Sequence, residues 1–106
     1  MEKSKLSVIR GLKIVDVELV EDGAGISLEN GINLIIYNKY RLIGLNFEDA
    51  HLLIGHMVTH IEEDIDTITI KFENDRALRI DMKDDAYTGP EAMQLRVPGE
   101  PIVIWN

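Results

Sequence analysis

The chain has 106 residues, no cysteine, and 19 acidic against 11 basic side chains, for a formal net charge of −8. That length holds one domain with a single core, and the missing cysteine excludes disulfides, thiolate metal sites and cysteine nucleophiles. So much negative charge repels nucleic acid phosphates and anionic membranes, and it reads either as steering toward basic partners or as plain solubility of a small domain.

The start, Met1-Glu2-Lys3-Ser4-Lys5, leads to no apolar run long enough for a signal peptide or a membrane span. The expectation is a cytoplasmic protein with one domain over residues 1–106. Residues 5–10 read as a weakly amphipathic helical turn. Gly11 opens a strand in which Val15, Val17 and Leu19 alternate with Asp16, Glu18 and Val20. The turn over residues 21–25 ends it, and strands follow at 25–28 and 32–37. Residues 38–46 read as extended or irregular, with Tyr40, Leu42, Ile43 and Leu45 as buried candidates. Residues 48–55 suit a short helix, with Asn46 or Asp49 near its cap and Gly55 at its end. Taken alone, residues 49–62 would pass for one longer helix. The tail carries a loop at 84–90 and a hairpin of residues 92–96 and 102–105 around Val97-Pro98-Gly99-Glu100, a type II turn. An even loop there sets Met93 against Ile104 and Leu95 against Ile102.

The ambiguity at residues 55–61 is resolved by an internal repeat. ISLENGINLII at 26–36 reappears as IKFENDRALRI at 70–80, forty-four positions later. Gly11/Gly55, Glu18/Glu62, Asp22/Asp66, Glu29/Glu73 and Asn30/Asn74 are identical, and Ile14/Val58 and Val17/Ile61 are conservative. Two copies are too few for a solenoid, so the reading is two β units sharing one core, with residues 55–61 a strand. The fold class is mostly β (α+β): two related antiparallel units, about 11–36 and 55–80, one short helix near 48–55 and a C-terminal β-hairpin. The predicted core is Val15, Val17, Ile26, Leu28, Leu34, Ile36, Ile61, Ile68, Ile70, Phe72, Leu78, Ile80 and Leu95.

Side-chain parity fixes the turns. Ile26 and Leu28 must share a face with Ile32, Leu34 and Ile36, so the loop between them holds an odd number of residues. Glu29-Asn30-Gly31 does this as a type I turn with Gly31 left-handed. Glu73-Asn74-Asp75 repeats it, with Asp75 in the left-handed position.

Motifs that would name a reaction are missing. His56 and His60 are four apart, and with His51 they admit two readings: metal ligands on a helix, or surface histidines on a solvated strand in which His56, Val58 and His60 share a face. No HExxH pattern supports the first. Asp84-Asp85 before Tyr87-Thr88-Gly89-Pro90-Glu91 is either a turn or a carboxylate pair for acid–base work. Ser4, Ser7 and Ser27 lie in no nucleophile elbow, and Gly23-Ala24-Gly25 is too short for a phosphate loop. Lys71, Arg76, Arg79 and Lys83 sit among acids in the sequence, without a basic stripe carrying aromatics. Trp105 reads as a core or interface anchor. No enzyme, cofactor or metal is therefore expected, and neither nucleic acid nor membrane is expected as a partner.

Two acidic clusters remain: Glu62, Glu63, Asp64 and Asp66 before the second hairpin, and Asp81, Asp84 and Asp85 after it. Antiparallel pairing brings both to one end of the sheet. They read either as a solvated end or as a recognition patch for a cationic partner. A small, acidic, β-rich chain of this kind resembles the immunity proteins of bacterial contact-dependent growth inhibition and other polymorphic toxin systems. The spacing Gly55, Val58, Ile61, then Ile68–Phe72 and Leu78–Ile80, with Tyr87–Ala92, also looks like small uncharacterised bacterial domains. The first resemblance implies a cytosolic binding module that neutralises a cognate toxin domain, commonly a nuclease, by occupying its basic cleft. Nothing in it assigns binding residues. The alternative is a housekeeping or structural β domain acting as a homo-oligomer, for example a homodimer through an exposed strand edge.

Overall fold

Short apolar segments in period-two alternation, broken by Gly, Asn and Asp, become strands. The computed structural model describes residues 5–106; residues 1–4, the charged start, lie outside the described residues. The strands are β1 (Ile14–Val20), β2 (Gly23–Leu28), β3 (Asn33–Ile36), β4 (Tyr40–Ile43), β5 (Val58–Glu63), β6 (Thr67–Phe72), β7 (Arg76–Asp81), β8 (Met93–Arg96) and β9 (Val103–Trp105). They form two antiparallel sheets, in the orders β1-β2-β3-β8-β9 and β4-β7-β6-β5. Short 3₁₀ helices precede each unit, at Lys5–Ile9 and Phe47–Leu53. The helix near 48–55 is thus present as a 3₁₀ helix, and residues 58–63 are strand. No helix among the described residues is long and apolar enough to cross a membrane.

The repeat is a repeat of structure. In the first unit Val17 opposes Ile26 and Ile26 opposes Leu34. In the second, Ile61 opposes Ile70 and Ile70 opposes Leu78, each residue shifted by the same forty-four positions. Both first strands carry an irregularity at the matching place, between Ile14 and Asp16 and between Val58 and His60. Even the 3₁₀ helices correspond: Leu12 N–H donates to the Ile9 carbonyl and His56 N–H to that of Leu53, both at 3.1 Å.

The two units meet at their first strands by reciprocal bonds. Gly11 N–H donates to Val58 O at 2.8 Å, and Gly55 N–H donates to Ile14 O at 2.7 Å. Ile14 N–H donates to His56 O, and Val58 N–H to Leu12 O. Lys13 and Met57 form the central antiparallel bridge. Each bridge residue is also held from its own turn. The Glu29 carboxylate accepts Lys13 N–H at 2.6 Å, and the Glu73 carboxylate accepts Met57 N–H at 2.7 Å. Gly11 and Gly55 turn the chain into this junction at φ of 86° and 89°, a left-handed conformation that a Cβ disfavours.

The inward faces of both sheets enclose one core. Leu34, Ile70, Leu78, Ile80 and Met93 are fully buried, with Leu6, Ile9 and Leu53 of the 3₁₀ helices closing its ends. Full burial of each such side chain contributes roughly 1.5–3 kcal/mol. Tyr40 links the sheets: its hydroxyl, on β4, lies 2.5 Å from Val20 O and 3.0 Å from Gly23 O across the β1–β2 turn.

Four local expectations are corrected. Val15 is 54 % exposed, while Ile14 is buried, because the bulge reverses the alternation there. β2 begins at Gly23 after a two-residue turn, so the 21–25 turn is shorter than expected. Parity holds in both hairpin loops, but Asn30 and Asn74 are left-handed as well (φ 69° and 65°), beside Gly31 and Asp75, so neither turn is type I. At the C-terminus Met93 pairs with Trp105 and Leu95 with Val103. The type II geometry of Pro98-Gly99 is present, with Glu100 N–H bonded to Val97 O and Gly99 at φ 80°. Pro101 lengthens the loop by one residue, which turns Ile102 and Ile104 outward.

Ile14→Ala and Val15→Ala separate these two faces. The first is expected to cost about 2–5 kcal/mol and the second under about 0.5 kcal/mol, read from urea midpoints at constant slope. Equal losses would put Val15 back in the core. Glu29→Ala and Glu73→Ala should each cost about 1–2 kcal/mol by leaving a bridge N–H without its carboxylate. Asp, one methylene shorter, should fail to restore it in the same denaturation assay.

Candidate functional site

The end of the second sheet is built by the β5–β6 turn and the exit of β7. Thr67 opposes Asp81 in the last pair of the β6–β7 ladder, and Met82 N–H donates to Asp66 O at 2.8 Å. Asp64 N–H closes the β5–β6 turn on Thr67 O at 2.7 Å. Asp84 and Asp85 follow at once in a single 3₁₀ turn, Asp84–Ala86. Glu63, Asp64, Asp66, Asp81, Asp84 and Asp85 therefore lie around one end of the sheet, most of them exposed.

Glu62 belongs to a different surface. It points off the outer face of the sheet, where its carboxylate lies 2.7 Å from the Lys71 ammonium. The hydrogen bond from Lys71 and its charge hold the Glu62 carboxyl below the usual carboxylate range, with smaller contributions from His60 and Arg79. Asp81 is partly committed as well, because its Oδ1 accepts Lys83 N–H at 2.9 Å.

At the tip of the β5–β6 turn stands Ile65, 93 % exposed and flanked by Asp64 and Asp66. Sequence reasoning passed over it, although a signal existed: a large aliphatic residue in a two-residue turn, where polar residues and glycine are the usual occupants. The corresponding residue of the first unit is Glu21.

The three histidines are dispersed by the fold. His51 is in the 3₁₀ helix Phe47–Leu53, His56 lies 3.6 Å from Glu73 at the junction of the units, and His60 is on the outer face opposite Lys71. The bulge at Thr59 puts Val58 inside and His60 outside, so the expected shared face of His56, Val58 and His60 does not form. Among the described residues no group of three or more histidines and carboxylates is arranged to hold a metal ion. Tyr87, near Asp84 and Asp85 in sequence, is half-buried just beyond their 3₁₀ turn. Trp105 packs against the core from β9. Burial raises the Tyr40 phenol above its ordinary value of 10.0.

No protein-family model, curated protein or solved structure significantly matches this chain. The site is therefore read from its own geometry.

The Tyr40 bond gives a pH signature. With the folded phenol pKa raised, the unfolded chain releases its proton first, so this group's contribution to stability is lost as pH rises above about 10. Tyr40→Phe should lower stability by about 1 kcal/mol at neutral pH and shallow the alkaline decline in urea midpoints between pH 9.5 and 11. An unchanged alkaline slope in the variant would exclude Tyr40 as its source.

Proposed function

We propose that this chain is a binding module that docks the acidic end of its second sheet onto a basic surface of another protein, in the manner of an immunity protein on a toxin domain. The observation that carries the reading is Ile65, an aliphatic side chain 93 % exposed at the tip of the β5–β6 turn, between Asp64 and Asp66 at the acidic end of the sheet. Burying it on a partner is favourable, whereas in the isolated protein it contributes nothing to the core. Glu63, Asp64, Asp66, Asp84 and Asp85 around it supply the charged rim that steers encounter. A rigid two-stranded end, bonded across by Met82 and Asp66, keeps the ordering entropy of docking low. A nuclease domain suits the charge, because its cleft is made basic to hold phosphates.

The strand edges do not favour the homodimer alternative. β1 is bulged and carries Asp16 and Glu18, β5 is bulged and carries Glu62 and Glu63, β4 has only four residues and carries Arg41, and β9 has only three residues. Bulges, charges and short edges are the features that block strand addition.

The test begins with co-expression and pull-down against candidate toxin domains. On the captured pair, Glu63→Lys with Asp84→Lys should slow association about tenfold or more at low salt and flatten its salt dependence. Ile65→Ala should weaken binding by about 2 kcal/mol, mainly through faster dissociation. Unchanged affinity and salt dependence in the double reversal would reduce the cluster to a solvated end of the sheet.

A further inference from the structure

The outer face of the second sheet carries a charge pattern opposite to that of the whole protein. Arg41 on β4 and Arg79 on β7 are direct cross-strand partners, so two guanidinium groups leave the same face side by side. Like charges in this position destabilise a sheet. Neither arginine makes an ion pair or a side-chain hydrogen bond among the described residues. Glu62, opposite Thr69 on the same face, feels the Arg79 charge, but its carboxylate is bonded to Lys71. Lys39 and Lys83 join them around a shallow hollow of ≈ 330 Å³. Four of the chain's 11 lysines and arginines thus line one depression, against a single carboxylate, Asp81.

Two threonines extend the pattern. Thr67 lines the hollow, and Thr69 stands directly opposite Arg79. Thr69 is 9 % exposed, and its hydroxyl, which reaches the surface, bonds to no protein group among the described residues. The first unit has nothing equivalent on the same backbone, since its counterparts of Thr69, Lys71 and Arg79 are Gly25, Ser27 and Ile35. Core positions match between the copies, so these outward differences are not imposed by packing.

We infer that this hollow binds a compact oxyanion, a phosphate monoester or pyrophosphate group, gripped by the Arg41 and Arg79 forks with Lys39 and Lys83 at its margin. Guanidinium forks match the paired oxygens of phosphate, and a threonine hydroxyl donates to a third. The ligand is compact because the acids at 64–66 and 84–85 lie just beyond the hollow and repel an extended polyanion. This inference does not rest on the docking proposed for the acidic end, although the hollow borders that end and Asp81 belongs to both.

The experiment is a titration of the ¹⁵N-labelled full chain with sodium pyrophosphate at fixed ionic strength, followed by amide shifts. Saturable shifts centred on Arg41, Thr67, Thr69 and Arg79 are expected. Arg79→Gln and Arg41→Gln should each weaken binding about tenfold, with all other amide resonances unmoved as evidence of folding. Arg96→Gln, on the other sheet, should leave binding unchanged. Non-saturating shifts spread over all basic residues, or full binding by Arg79→Gln, would overturn the site. Malonate binding as tight as pyrophosphate would overturn the choice of phosphate over carboxylate, and tighter binding of a 20-nucleotide single strand would overturn the compact ligand.

Discussion

The whole arrangement depends on one junction, where residues 11–14 and 55–58 exchange backbone bonds two-fold and each central N–H is capped by a glutamate from its own hairpin turn. Without it, each unit is a three-stranded meander with one apolar face open to water, and such a layer must find a second layer to cover that face. The junction sets the two units against each other so that each supplies the other's cover. It also explains which residues the copies share. Gly11 and Gly55 make the entry, Glu29 and Glu73 reach back to the bridge, and Asn30 and Asn74 accept the left-handed turn that aims them. These three identical pairs stand where the backbone needs particular chemistry, while Ile26/Ile70, Leu34/Leu78 and Ile36/Ile80 are identical in the core.

Much of this was legible in the sequence because a period-two pattern written twice constrains itself. Residues 55–61, helix-like when read alone, were identified as strand by alignment with 11–17, and the parity of the three-residue loops followed from keeping Ile26, Leu34, Ile70 and Leu78 on one side. What failed was alternation through irregularities. A bulge adds a residue without announcing itself in composition, so Val15 was placed inside and His60 beside Val58. The C-terminal register slipped by one for the same reason, because the Pro-Gly turn was read correctly but the loop around it was one residue longer.

The charged surfaces were legible to very different degrees. The acidic end could be found because its residues are close in sequence and antiparallel pairing returns the second cluster to the first. The basic hollow was not visible. No two of Lys39, Arg41, Arg79 and Lys83 are adjacent in the chain, and only the pairing of β4 with β7 collects all four. A search for basic runs sees residues along the chain, while a sheet reads every second residue across chains. Ile65 illustrates the complementary failure, since hydrophobic residues are counted toward a core by default and this one is held outside it.

The strand order has a consequence for how the chain is made. β3 bonds on one side to β2 and on the other to β8, with residue 33 opposite residue 96. During synthesis the first meander can pair as soon as residue 36 emerges, yet the free side of β3 must wait for residues 93–96. Loop closure over that separation is entropically slow. In the interval an unpaired edge, backed by Leu34 and Ile36, is open to other nascent chains. The second meander covers the apolar face but leaves that edge bare, so Met93–Arg96, backed by Val103–Trp105, is the segment that closes the free side of β3.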